Sequence, residues 1–153
     1  MEKVREVITI KQVWHEVEAP HDVIRSPHDA VEVIQHFIAN EAREVAFALM
    51  LSTKNEINAV YKVSIGIVRA SLLNPREVYQ AALLCNASAI IIGHNHPSGD
   101  ITPSKEDIEV TKKIYEAGEL MCIPLFDHII VGDRGNSRYL SLRESGYFDR
   151  FKK

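Results

Sequence analysis

The stretch IIIGHNHPSGDITPSKED, residues 90–107, gathers side chains that can bind a metal and activate water. His94 and His96 follow a run of isoleucines and are separated by one residue. In extended backbone, side chains alternate with period two, so both imidazoles project from one face and can meet one ion. Zinc takes a tetrahedral set of nitrogen, sulfur or oxygen ligands, and a catalytic zinc keeps three protein ligands and leaves the fourth position to water. Asp107 is the nearest good third donor, and Pro97, Gly99 and Pro103 let the chain turn back and bring Asp107 under the histidines. The same letters have a purely structural reading. Ser104-Lys105-Glu106-Asp107 fits a capping box, and His94 and His96 then become loop residues bonded to backbone. The two readings are compatible, since a capped helix start is a stable platform for a ligand. The consecutive His-Asn-His is not the dispersed HNH nuclease motif, and the H-x-E and P-C-x-x-C of zinc deaminases do not occur.

The elements that must position these residues are legible from pattern. Ser26-Pro27 supplies a cap and a first-turn proline, and Val31, Ile34, Phe37 and Ile38 recur at helical spacing, which predicts a helix over 27–40 with His36 on its solvated side. Residues 45–51 and 57–65 read as strands of a hairpin turning at Lys54-Asn55. Asn74-Pro75 repeats the cap-plus-proline device and opens a helix reaching Cys85, after which ASAIIIG reads as a strand buried on both faces. A further helix is expected over 105–117, stopped by Gly118, and the last third reads as two or three short strands and a closing helical turn. Interleaved elements without a strict βαβ rhythm predict an α/β chain of α+β type, a mixed β-sheet flanked by helices. The divisions expected are an N-terminal extended arm over 1–25 and one domain over 26–153. Sites in such sheets lie outside the carboxyl ends of strands where a connection becomes a helix, and the histidine segment has that position.

At 153 residues, 46% apolar and 25% charged, the chain can bury a core without a metal or disulfide to hold it together. A formal charge of -3 gives no overall pull toward nucleic acid or anionic membrane. Cys85 and Cys122 form no C-x-x-C pair and are expected as buried packing residues. The N-terminus lacks the apolar core of a signal peptide, and no apolar run reaches the length of a membrane span, so a cytoplasmic location is expected. His15, His21 and His28 are expected at the surface, and Trp14 packed against the domain.

His94-x-His96-x7-Ser104-x2-Asp107 resembles the JAMM motif of the JAB/MPN/Mov34 zinc metalloproteases. Together with NPREVYQAAL and LFDHIIVGD, the stretch GHNHPSGDITPSKED looks like the RadC branch of that family, a similarity covering residues 30–148. The resemblance implies a cytidine-deaminase-like fold, one zinc ion per chain held by His94, His96 and Asp107, and a water in the fourth position. It further implies Glu44 as general acid/base and Ser104 as the donor to a developing oxyanion, hence a zinc metallohydrolase, a peptidase or isopeptidase. Asp127-His128 recurs in the family and is expected to be structural or to support a ligand from behind. The alternative is a scaffold without proteolysis acting in DNA repair or recombination, and a dimer is compatible with either. This chain departs from the RadC pattern in lacking the helix-hairpin-helix region of longer members, in Ser52 where aspartate is common, and in Ile67 after Gly66 where threonine is usual. The last two bear on substrate contacts rather than on metal binding.

Overall fold

The computed structural model describes residues 1–65, 73–132 and 138–152. Each of the first two helices begins where a side-chain oxygen and a proline coincide. Ser26 accepts the Asp29 N–H ahead of α1 (Pro27–Ile38), and Asn74 accepts the Arg76 N–H ahead of α2 (Pro75–Leu84). The strands β1 (Val45–Leu51), β2 (Ile57–Ile65), β3 (Ala89–Asn95), β4 (Leu125–Val131) and β5 (Tyr139–Ser141) form one mixed sheet in the order β2-β1-β3-β4-β5. Only β3 and β4 run parallel, and the connection that this demands is α3 (Lys105–Met121). The chain closes with α4 (Tyr147–Phe151). The expected mixed sheet flanked by helices is therefore what the sequence builds.

Alternation along the strands divides the core. Phe47, Leu49, Ile91, Ile129 and Val131 pack against Val31, Ile34 and Ile38 of α1, while Ala48, Met50, Ile90, Ile92 and Ile130 pack against α2, α3 and α4. Every residue of β1 and β3 is buried, as a strand covered on both faces requires. Gly93 belongs to this packing: a Cβ there would stand 2.6 Å from Ile34 Cγ2, so glycine lets α1 approach β3 next to His94.

Several expectations need correction. Gly118 does not stop α3, which runs on to Met121; a Cβ at Gly118 would stand 2.6 Å from the Ile123 carbonyl oxygen, so this glycine serves a close approach. The helix ends instead at Cys122, left-handed at φ 58° and exposed, so this cysteine is not a core residue. Cys85 is half-buried at the end of α2, where burial pushes its thiol pKa up. Trp14 is 71% exposed rather than packed on the domain. Residues 1–19 carry no helix or strand, and pairing begins only at Val23, which bridges Glu56 in antiparallel register. Continuing that register would call on the Pro20 nitrogen to donate to Ala59, and proline has no N–H, so nothing zips the arm onto β2. Ser52 lies in the hairpin turn, its Oγ accepting the Lys54 and Glu56 N–H groups, at the end of β1 far from Glu44. Its departure from the RadC pattern is thus a turn substitution. Ile67 lies outside the described residues.

Candidate metal centre

β3 delivers the first donors. His94 is buried near its end, and His96 N–H continues the ladder by donating to the Val131 carbonyl at 2.9 Å. The chain then turns through Pro97 to Pro103 into α3. There Ser104 Oγ accepts the Asp107 N–H at 3.0 Å and Asp107 Oδ2 accepts the Ser104 N–H at 2.9 Å. The capping box is thus present, and it aims the Asp107 carboxylate at the histidines. His94 Nε2 and His96 Nε2 are 2.8 Å apart, and Asp107 places Oδ1 at 3.5 Å from the first and Oδ2 at 3.3 Å from the second. Ligands about 2.0–2.1 Å from a tetrahedral zinc stand roughly 3.3 Å apart, so the three residues have the spacing of a zinc-binding set.

The hydrogen bonds behind the imidazoles assign their tautomers. Thr111, one turn beyond Asp107 and fully buried, donates its hydroxyl to the Asp107 carbonyl at 2.5 Å. Its only proton is spent, so at 2.6 Å it accepts from His128 Nδ1–H. Burial holds the His128 pKa well below its usual value, so the ring is neutral and its Nε2 is a lone pair. That lone pair lies 2.7 Å from His94 Nδ1, which must donate, so the first ring proton sits on Nδ1 and Nε2 is the nitrogen left to bind an ion. His96 Nδ1 likewise donates to the Asp100 carbonyl at 2.7 Å, leaving its own Nε2 bare. Two nitrogen lone pairs and a carboxylate therefore converge, an arrangement that needs a cation at its centre.

Without a metal, a proton has to serve. The hydrogen bond to Asp107 raises the His96 pKa against the opposing effect of burial, and the charge of Glu44 adds a smaller pull in the same direction. Burial opposes ionisation of Asp107, but hydrogen bonds from His94 and His96, formed when an Nε2 takes up a proton in place of a metal, outweigh it and hold the carboxyl well below its usual range. A proton and a metal thus compete for one set of atoms.

Glu44 is exposed and immediately precedes β1. In the antiparallel β1–β3 register Ala46 faces His94, and continuing by two residues sets Glu44 opposite His96 on the same sheet face. The backbone on either side of it is held from below. Asn95, fully buried on the opposite face from the histidines, accepts the Val45 N–H at 2.6 Å and donates to the Glu41 and Arg43 carbonyls at 3.2 and 2.9 Å. Asn95 and Thr111 were not singled out from the sequence. Their signal was a polar residue at a position that strand alternation or helix spacing assigns to the core.

Asp127 and His128, adjacent on β4, face opposite ways. Asp127 accepts hydrogen bonds from Ser141 Oγ at 2.5 Å, Arg143 N at 3.1 Å and His128 N at 2.7 Å, tying β4 to the turn after β5. Burial raises its pKa against those bonds. Only His128 reaches the centre. Replacing it with phenylalanine, similar in shape, is expected to free His94 to take the other tautomer and to weaken zinc binding about 10- to 100-fold in competition titrations; unchanged affinity would show that the relay does not orient His94.

The RadC-like JAB domain family matches residues 24–147. The chain belongs to that family. It is 44% identical over 126 residues to a UPF0758 protein of Caldanaerobacter subterraneus, covering 82% of this chain and 53% of that one. A UPF0758 protein of Methanosarcina mazei is 44% identical over 131 residues, 86% of this chain and 56% of the relative. The UPF0758 protein YsxA of Bacillus subtilis is 42% identical over 127 residues, 83% and 54% of the respective chains. The chain thus spans about half the length of the curated relatives it matches. Within this RadC-like JAB domain, His94 lies near the end of β3, His96 directly follows it, and Asp107 lies in the first turn of α3. Among the described residues, no helix is long and apolar enough to cross a membrane.

Proposed function

We propose that this RadC-like JAB domain is a zinc-dependent hydrolase of amide bonds, a peptidase or isopeptidase. The observation that carries the proposal is the convergence of His94 Nε2, His96 Nε2 and the Asp107 carboxylate with both ring nitrogens left as lone pairs by the bonds behind them. Nitrogen and carboxylate donors suit zinc. Bound there, zinc would act as a Lewis acid and bring the pKa of water from 15.7 toward about 7. Glu44, on the same sheet face as the ligands, takes the proton of the attacking water and returns it to the leaving nitrogen. Ser104 Oγ accepts the Asp107 N–H through one lone pair, so its own proton is left for the carbonyl oxygen as negative charge develops. A scaffold that only bound metal would need neither Glu44 nor that proton.

Element analysis of protein purified without added metal tests the assignment. Asp107→Ala is expected to lower the content by about one zinc per chain; a wild-type content below about 0.2 per chain, unrestored by added zinc, would remove the site assignment.

A further inference from the structure

A second cluster of metal-ligating side chains lies where the N-terminal arm joins the domain. We propose that His21, Asp29 and Glu32 form a further divalent cation site of zinc type. His21 Nε2, one oxygen of Asp29 and one of Glu32 lie within 4.8 Å of one another. The first centre and this one sit on opposite faces of the sheet, since α1 covers the face away from His94.

The local structure fixes the donors before any ion arrives. His21 precedes a stretch pinned to the start of β2: Ile57 N–H donates to the Asp22 carbonyl at 2.8 Å, and Ile24 N–H to the Asn55 carbonyl at 2.8 Å. Asp29 and Glu32 are one turn apart on α1. Asp29 Oδ2 is occupied by the Arg25 N–H at 2.8 Å, which turns Oδ1 toward His21 Nε2 at 3.7 Å. Glu32 Oε2 touches His21 Nε2, and Glu32 Oε1 lies 3.1 Å from His28 Nε2, one turn back on the helix. Hydrogen bonding from His21 holds Glu32, and that from Arg25 N–H holds Asp29, below the usual carboxylate range, so both are ionised at neutral pH.

Two carboxylates thus face one imidazole. A proton on His21 neutralises one of them, whereas a divalent ion neutralises both and uses the ring nitrogen as a ligand. Imidazole with carboxylate favours zinc and its transition-metal neighbours over magnesium or calcium, which prefer oxygen alone. His21 is partly exposed at 27% and Glu32 at 42%, so this site is open to water and fills from solution. Its ligands join two separate segments, so an ion there clamps the root of the arm to α1.

Titration of the full chain with Zn2+ alone, counting bound metal after gel filtration, tests this. Wild type is expected to take up about two equivalents, and His21→Ala/Glu32→Gln and Asp107→Ala about one each. Glu32→Gln alone, which preserves size and polarity at a partly exposed position, should weaken the second equivalent with an unchanged circular dichroism spectrum. The proposal is overturned if the double variant binds as much zinc as wild type, or if wild type binds none beyond what Asp107→Ala removes, which would leave these residues as ion pairs. Loss of an equivalent in the double variant, with Asp107→Ala binding as wild type, would uphold this site and refute the first.

Discussion

Glu44→Gln is expected to keep its zinc and to lose hydrolysis of a peptide library by about 10²- to 10⁴-fold, the range for removal of a positioned general base. Glutamine preserves the shape of the side chain and its ability to hydrogen-bond, but it cannot take up a proton near neutral pH. The ligands should not notice the exchange. His94 is oriented by His128, His96 by the Asp100 carbonyl, and Asp107 by the capping box with Ser104. None of these bonds involves Glu44, which is exposed at the mouth of the site. Metal content and turnover are therefore separable here. A variant that retained zinc and cleaved as fast as wild type would hand the proton transfer to another group, and one that lost its zinc would make Glu44 a ligand or a structural support.

Much of this was legible in the residues. The strand bounds 45–51 and 57–65, the helix starts at Pro27 and Pro75, and the convergence of His94, His96 and Asp107 follow from alternation, capping chemistry and spacing. Local rules succeed there because the deciding contacts are local. They fail where a partner distant in sequence decides. Gly118 looks like a helix stop, yet its lack of a side chain accommodates the Ile123 carbonyl and the Tyr79 hydroxyl, and α3 passes through it. Cys122 looks like a core residue and instead takes the left-handed turn that ends the helix. His21, expected at the surface, is half-buried because Glu32 and Asp29 rise from α1 to meet it. The site divides in the same way. Its donors are close together in the chain, but the bonds that aim them come from His128 and Thr111, and the support beneath Glu44 reaches back 50 residues from Asn95 to Val45. No spacing rule within the histidine segment contains those partners.

Asn95, the residue between the two ligand histidines, should prove as important as either to the general base. In Asn95→Ala the buried Val45 N–H loses its acceptor and the Glu41 and Arg43 carbonyls lose their donor. The carbonyls are near enough to the surface for water to replace that bond, whereas Val45 is completely buried. The orphaned N–H alone costs about 1–3 kcal/mol, and denaturant unfolding should show a loss of that order. Chain segment 41–45 also loses the bracket that holds Glu44 between Arg43 and Val45, and a misplacement of about 1 Å can cost 10²-fold in rate. Zinc affinity should stay near wild type, because Asn95 points to the α1 face and the ligands point to the other. Asn95→Asp separates acceptance from donation: its carboxylate still accepts the Val45 N–H but repels the two carbonyls, so a fall in kcat as large as the alanine variant's would assign the positioning of Glu44 to the bonds with Glu41 and Arg43. If Asn95→Ala unfolds earlier yet turns over as fast as wild type per folded, zinc-loaded molecule, Asn95 holds the fold together without positioning Glu44.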